Sequence, residues 1–186
     1  MIDTLKNAWR IKDIRKKIIF TILMLFVYRV GTFIPIPGVN SKVIQDLVAK
    51  GGLLGFFDIM TGGAFGNFTI FAMGITPYIN SSIIIQLLTV AIPKLEQLAK
   101  EGEEGRKKLA QYTRYFTIIL AAIQLLGITY GLAQGALKEK TFLSYFIVVL
   151  TLTAGTAFLM WLGEQITDRG IGNGISLIIF TSIISR

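Results

Sequence analysis

Five apolar runs, separated by short charged or Gly/Pro-rich stretches, limit what this chain can become; they cover residues 18–36, 69–88, 115–132, 142–162 and 171 onward. In a bilayer core every backbone N–H and C=O must be satisfied within the protein, so such runs form helices or a closed barrel. A barrel strand alternates apolar and polar residues with period two, whereas these runs are continuous. Charged residues make up 16% of the chain and mean hydropathy is +0.63, against about a quarter charged in an ordinary soluble domain. The expected class is an all-α polytopic membrane protein. The first run is followed by the turn Pro35-Ile36-Pro37-Gly38 rather than a small-residue cleavage pattern, so it reads as a span over residues 18–33 and not as a signal peptide.

The net charge of +8 suggests nucleic acid until its placement is considered, because the basic residues sit at the membrane flanks. In residues 1–17, Lys6, Arg10, Lys12, Arg15, Lys16 and Lys17 outweigh Asp3 and Asp13, which holds this end in the cytoplasm. Ile2, Leu5, Ala8, Trp9 and Ile11 fit an amphipathic surface helix. Arg29, near the outer end of span one, is expected to snorkel or pair. Cysteine and histidine are both absent, which excludes disulfides, cysteine or histidine metal and haem sites, and thiol or imidazole catalysis.

The second run, TIFAMGITPYINSSIIIQLL, carries Gly74, Pro77, Asn80, Ser81, Ser82 and Gln86. Polar side chains at membrane depth face other helices or a water-filled path, so this span reads as a wall. Before it, residues 40–68 balance Lys42 and Lys50 against Asp46 and Asp58, as an exterior loop does. Within them LLGFFDIM, residues 53–60, is apolar but far too short to cross. Composition alone favours an interfacial helix there over a re-entrant one. Residues 93–114 read as a mixed-charge cytoplasmic loop, a helical hairpin tip turning at Gly102 and Gly105. Span three carries Gln124, residues 134–141 form an exterior loop, and Thr151, Thr153, Gly155 and Thr156 give span four a small-residue packing face. Residues 164–170 read as a tight cytoplasmic corner. The fifth run leaves roughly 15 residues where a span needs about 20, so it is expected to be an incomplete span of a longer protein.

No apolar span contains Asp, Glu, His or Lys, which disfavours proton relays, ion-coupled transport and intramembrane aspartyl proteolysis. Ser81 and Ser82 are expected to bond back to their own helix. The glycines at 170, 172 and 174 lack the G-x-G-x-x-G spacing and any following Lys-Ser/Thr, so no nucleotide site is indicated. Neither a cofactor nor an enzyme is expected. A passive conduit remains. Ile75 and Ile79 are four apart, as are Ile175 and Ile179, and each pair stacks on one helical face. If those faces met they would form an apolar constriction, although periodicity alone describes ordinary packing equally well. The competing readings are a helical membrane scaffold and half of an inverted-repeat small-solute transporter.

The second run and WLGEQITDRGIGNGISLII, residues 161–179, together resemble the two signature segments of the SecY family of protein-translocation channels. GTFIPIPGVN at 31–40, GGAFGNF at 62–68 and EGEEGRKKLAQYTRY at 101–115 agree with it. The resemblance implies the first five-span half of a ten-span inverted-repeat channel, residues 18–186, with a re-entrant plug at about 53–68. That reverses the interfacial preference. It further implies a pore ring containing Ile75, Ile79, Ile175 and Ile179. A lateral gate at Asn80 and Ile84, with Gln124 nearby, and plug residues Leu53, Leu54, Phe56, Phe57, Ile59 and Met60 follow from the same likeness. The implied partners are SecE and SecG subunits, a SecA motor or a ribosome, signal peptides and nascent chains, the C-terminal half of the channel, and lipids of a bacterial inner membrane.

Overall fold

The computed structural model describes residues 11–131, 135–137, 139 and 141–185. Residues 1–10, which hold all but the last residue of the expected surface helix, lie outside them, as does part of the expected exterior loop at 134–141. Among the described residues there are eight helices: α1 (Lys12–Gly31), α2 (Ser41–Ala49), α3 (Leu53–Met60), α4 (Thr76–Ala91), α5 (Pro93–Lys100), α6 (Glu103–Gly131), α7 (Phe142–Arg169) and α8 (Gly174–Ile184). The only β pairing among them is two isolated bridges, Pro35 with Thr69 and Val39 with Leu137. The all-α expectation holds.

By length and composition α6 and α7 can each cross a membrane, and α4 with α5 would make a third span were they not bent by 102°. The bend is local chemistry. Proline disfavours helical geometry in the residue before it, and Ile92 is extended at φ −110°, ψ 113°. Helix α1, expected as the first span, has 20 residues and reaches about 30 Å at 1.5 Å each, but with its basic residues it is not among the helices apolar enough to cross by composition. Its first two turns carry Lys12, Asp13, Arg15, Lys16 and Lys17. Helix α8 has 11 residues.

Four expected boundaries move. The second span is not helical from residue 69: its helix begins at Thr76, and Gly74 turns the preceding chain at φ 56°. Residues 69–75 are buried irregular backbone instead, tolerated because their hydrogen bonds are met inside the protein. Ile70 N–H donates to Ile34 O at 3.1 Å and Thr69 N–H to Ala64 O at 3.0 Å. The hairpin between spans two and three turns at Gly102 but not at Gly105, which lies inside α6, its Cα against the Leu98 carbonyl. Span three is thus the second half of one 29-residue helix. The expected corner at 164–170 is helical through Arg169, because Ile166 is fully buried in the core, and the turn falls after it. Within the presumed exterior loop, α2 forms where the Asn40 side chain accepts from Lys42 N–H at 3.2 Å.

The bundle is built around α6 and α7. Helix α4 packs on α6, α6 on α7, and α7 also meets α1 and α8, while α3 rests on α2 and α8. One core gathers Ile44, Phe65, Phe68, Leu125, Val148 and Leu152; the other gathers Tyr28, Phe71, Ile75, Leu159, Leu162, Ile166 and Ile178. Phe71 joins α1 to α7, stacked between Tyr28 and Phe158 with both centroids at 6.0 Å. Glycine permits two of the closest approaches. A Cβ on Gly155 would collide with the Ile70 carbonyl, and one on Gly174 with the Gly163 carbonyl where α7 and α8 cross. Arg114 and Glu164 brace α6 to α7 at 2.7 Å.

Because its obstacle is backbone, Gly155→Val should destabilise the bundle by about 1–3 kcal/mol. Thermal unfolding of the complete protein in detergent measures this, and a wild-type midpoint would contradict the packing described.

Candidate functional site

The expected pore isoleucines converge from two helices. Ile75 ends the irregular segment as the residue before α4, and Ile79 N–H donates to Ile75 O at 3.1 Å, so the two stand one turn apart. On α8, Ile175 and Ile179 are likewise one turn apart, and the Asn173 side chain caps that helix by accepting from Ser176 N–H at 3.2 Å. Ile75, Ile79 and Ile179 line one crevice with Met60 of α3 and Tyr28 of α1, about 20 Å³ in volume. That is scarcely room for one water. Ile175 lies outside this crevice and shares a more open hollow with Ile79, Tyr78 and Ser176. Gly163 makes room for it, since a Cβ there would strike the Ile175 side chain.

Helix α3 presents different residues to different surroundings. Met60 enters the isoleucine crevice. Leu54 and Phe57 line a groove of about 430 Å³ whose other wall is Thr76 and Asn80 of α4 with Gln124, Gly127 and Ile128 of α6. Leu53, Phe56 and Ile59 are exposed, Leu53 to 75%. Thus the residues expected to form a plug sit on one short helix that touches both the isoleucines and the amide-lined groove.

Of the three residues expected at a lateral gate, Asn80 and Gln124 meet in that groove. Ile84, one turn beyond Asn80, is half-buried and does not line it. Gln124 Oε1 is buried and accepts no hydrogen bond from a described residue. The neighbouring hydroxyls are engaged within α4. Ser81 Oγ donates to Pro77 O at 2.8 Å, and Ser82 Oγ accepts from Gln86 Nε2 at 3.3 Å. Asn80 and Gln124 therefore supply amide polarity to the groove, beside the Thr76 hydroxyl. No cluster of metal-ligating side chains occurs among the described residues.

Sequence reasoning missed Asp58. It had been counted as an exterior charge, yet it is only 6% exposed. Its carboxylate accepts from Gly66 N–H at 2.7 Å, and its backbone carbonyl accepts from Gly63 N–H at 2.9 Å. A charged acceptor at the C-terminal end of α3 thereby ties the helix to the loop that follows. Gln45 of α2 adds a second tie, donating from Nε2 to Asn67 Oδ1 at 2.8 Å. The lone carboxylate inside an apolar octet was the available signal; its backbone partner eight residues away was not readable from spacing.

Asp58→Ala should speed amide hydrogen exchange at Gly66 by roughly tenfold or more, given about 1.5–3 kcal/mol for a hydrogen bond to a charged group. Exchange at wild-type rates would show that the carboxylate does not hold this loop.

The family model described as SecY matches residues 69–186. The protein translocase subunit SecY of Bacillus subtilis (strain 168) is 56% identical over 193 residues, covering 100% of this chain and 44% of the relative. That of Escherichia coli (strain K12) is 49% identical over 180 residues, covering 93% and 41% respectively. The chain thus spans less than half the length of the curated relatives it matches. Among solved structures, Sec61 in the canine ribosome-channel complex from the endoplasmic reticulum superposes with a TM-score of 0.63 at 22% identity, covering 92% of this chain and 36% of that one. A structure described by its SecY plug domain, said there to stabilise the closed state and maintain a membrane seal, gives a TM-score of 0.61 at 22% identity over 92% of this chain and 38% of that one. At such identity the likeness establishes the fold.

Proposed function

The chain belongs to the SecY family, and from that premise we propose that it builds one wall of a protein-conducting channel in the bacterial plasma membrane. The observation that carries the reading is the seating of Met60, on an eight-residue apolar helix, against Ile75, Ile79 and Ile179. In this reading α3 is the plug and residues 53–68 are its segment. The four isoleucines are this half's share of a ring completed by a second five-span half. Asn80 and Gln124, with Ile84 beyond them, border the lateral gate through which membrane segments leave. The end rich in Lys and Arg lies in the cytoplasm.

The physics of the idle state is apolar exclusion. An opening lined by isoleucine offers ions no replacement for their hydration shells and resists wetting, so it needs no charged gate. Isoleucine also suits a passing chain, because it makes no sequence-specific hydrogen bonds. A signal sequence entering beside α4 would pack in the groove that Leu54 and Phe57 line, and that contact with α3 couples gate opening to plug release. The ties at Asp58–Gly66 and Gln45–Asn67 set how far α3 can move as a unit with its loop. The chain performs no catalysis of its own in this account. A SecA motor or a ribosome supplies the work, and SecE, SecG and the C-terminal half complete the channel.

In the complete protein, single cysteines at Ile79 or Ile179 should crosslink to a stalled secretory chain, while exposed α7 positions such as Leu150 should not. The opposite pattern would refute the channel assignment. Ile79→Gly should raise ion conductance of the idle channel reconstituted in planar bilayers, and unchanged conductance would refute the seal.

A further inference from the structure

Arg29 is the only charged residue between Ile18 and Phe33, and a charge in the apolar part of a span is costly enough to need an explanation. Its guanidinium reaches α8. Nη1 donates to Ser185 Oγ at 3.0 Å and Nη2 to Ser185 O at 2.9 Å. The group also lies 4.8 Å above the Phe33 ring. The preceding residue contributes too: Tyr28, fully buried, shares a 2.6 Å hydrogen bond with Ser182 Oγ. Consecutive residues of α1 therefore hold two serines three apart, Ser182 within α8 and Ser185 just after it.

We propose that Tyr28 and Arg29 form a clamp that positions α8, and with it the Ile179 side of the seal, against α3 and α4. This rests on the reading that α8 carries part of the pore ring. Tyr28 and Ser182 themselves line the crevice shared by Met60, Ile75, Ile79 and Ile179, so the clamp and the seal are contiguous. The backbone of α3's following turn also seats here, since Gly62 lies against the Ser182 carbonyl. Displacing α8 around Ser182 would shift the ring residue and the seat of the plug segment together. Arginine suits the task because its planar fork satisfies a hydroxyl and a carbonyl at once, which an ammonium on a flexible stem does less well. Both are positioning residues; neither needs to touch the translocating chain.

The test uses the complete channel in bilayers, with a Met60→Cys/Ile179→Cys pair reporting the position of α8 through disulfide yield. Arg29→Met should lower that yield and raise idle ion conductance roughly tenfold, equivalent to about 1.4 kcal/mol. Arg29→Lys should recover only part of both. Tyr28→Phe removes a single hydroxyl and carries the same test if Arg29→Met fails to accumulate. Wild-type yield and conductance in whichever of these accumulate would overturn the clamp. Ile179→Gly, measured alongside, separates the two ideas. If it leaks while the clamp variants do not, the clamp fails and the seal stands; if it does not leak, the seal reading itself is wrong.

Discussion

Irregular backbone buried among helices is the constraint on which the rest of this structure depends. Residues 61–75 run through the bundle as successive turns rather than a continuous helix, so the polar backbone groups that those turns leave unmet need specific partners. The partners come from several directions: Ile34 O for Ile70, Asp58 Oδ1 for Gly66, Thr61 Oγ1 for Phe65 at 3.1 Å, and Ala64 O for Thr69. Meeting them draws the end of α1, the base of α3 and the start of α4 onto one frame. Gly155 lets α7 close over that frame at Ile70, and the Tyr28–Phe71–Phe158 stack fills the space beside it. The short apolar helix and the first isoleucine are consequently placed by the same set of bonds.

Polar content at membrane depth misleads unless its hydrogen bonds are traced. Ser81, Thr89, Thr117, Thr151, Thr153 and Ser182 all donate to carbonyls of their own helices, at 2.7 to 2.8 Å. Such hydroxyls present little polarity to a neighbouring path. Asn80 and Gln124 differ because an amide carries more donors and acceptors than its own turn can satisfy. The isoleucine crevice is bordered by the hydroxyl-bearing Tyr28, Thr61, Thr76 and Ser182 as well as by apolar side chains, and the groove on the other side of α3 sets the amides of Asn80 and Gln124 in a mostly apolar wall.

Much of the site was legible in the sequence, for reasons that can be assigned. The Ile75/Ile79 and Ile175/Ile179 pairs were visible because helical spacing is local, whereas the 102° bend before Pro93 was not read from the sequence, although proline acts on its immediate neighbour. Asp58 was misjudged because burial of a carboxylate depends on an acceptor-hungry backbone eight residues on. Residues 69–75 were misjudged because hydropathy reports transfer into lipid and not which backbone conformation accomplishes it. The corner expected at 164–170 failed similarly: its charges suggested a loop, yet Ile166 anchors that stretch as helix in the core.

Taken alone, the sequence determined the solvent and the chemistry. Continuous apolar runs point to helices in a bilayer, and a sequence with no cysteine, histidine or span carboxylate disfavours thiol or imidazole chemistry and proton relays. Its two signature segments carried the family. Only the tertiary structure decided which apolar residues meet. Ile79 shares one crevice with Ile179 and Met60 and a second hollow with Ile175, Ile84 stays outside the groove, and Tyr28 and Arg29 bond to Ser182 of α8 and to Ser185 after it. Those outcomes depend on where helices cross, and crossings are set by glycine contacts and long-range hydrogen bonds that no local pattern encodes.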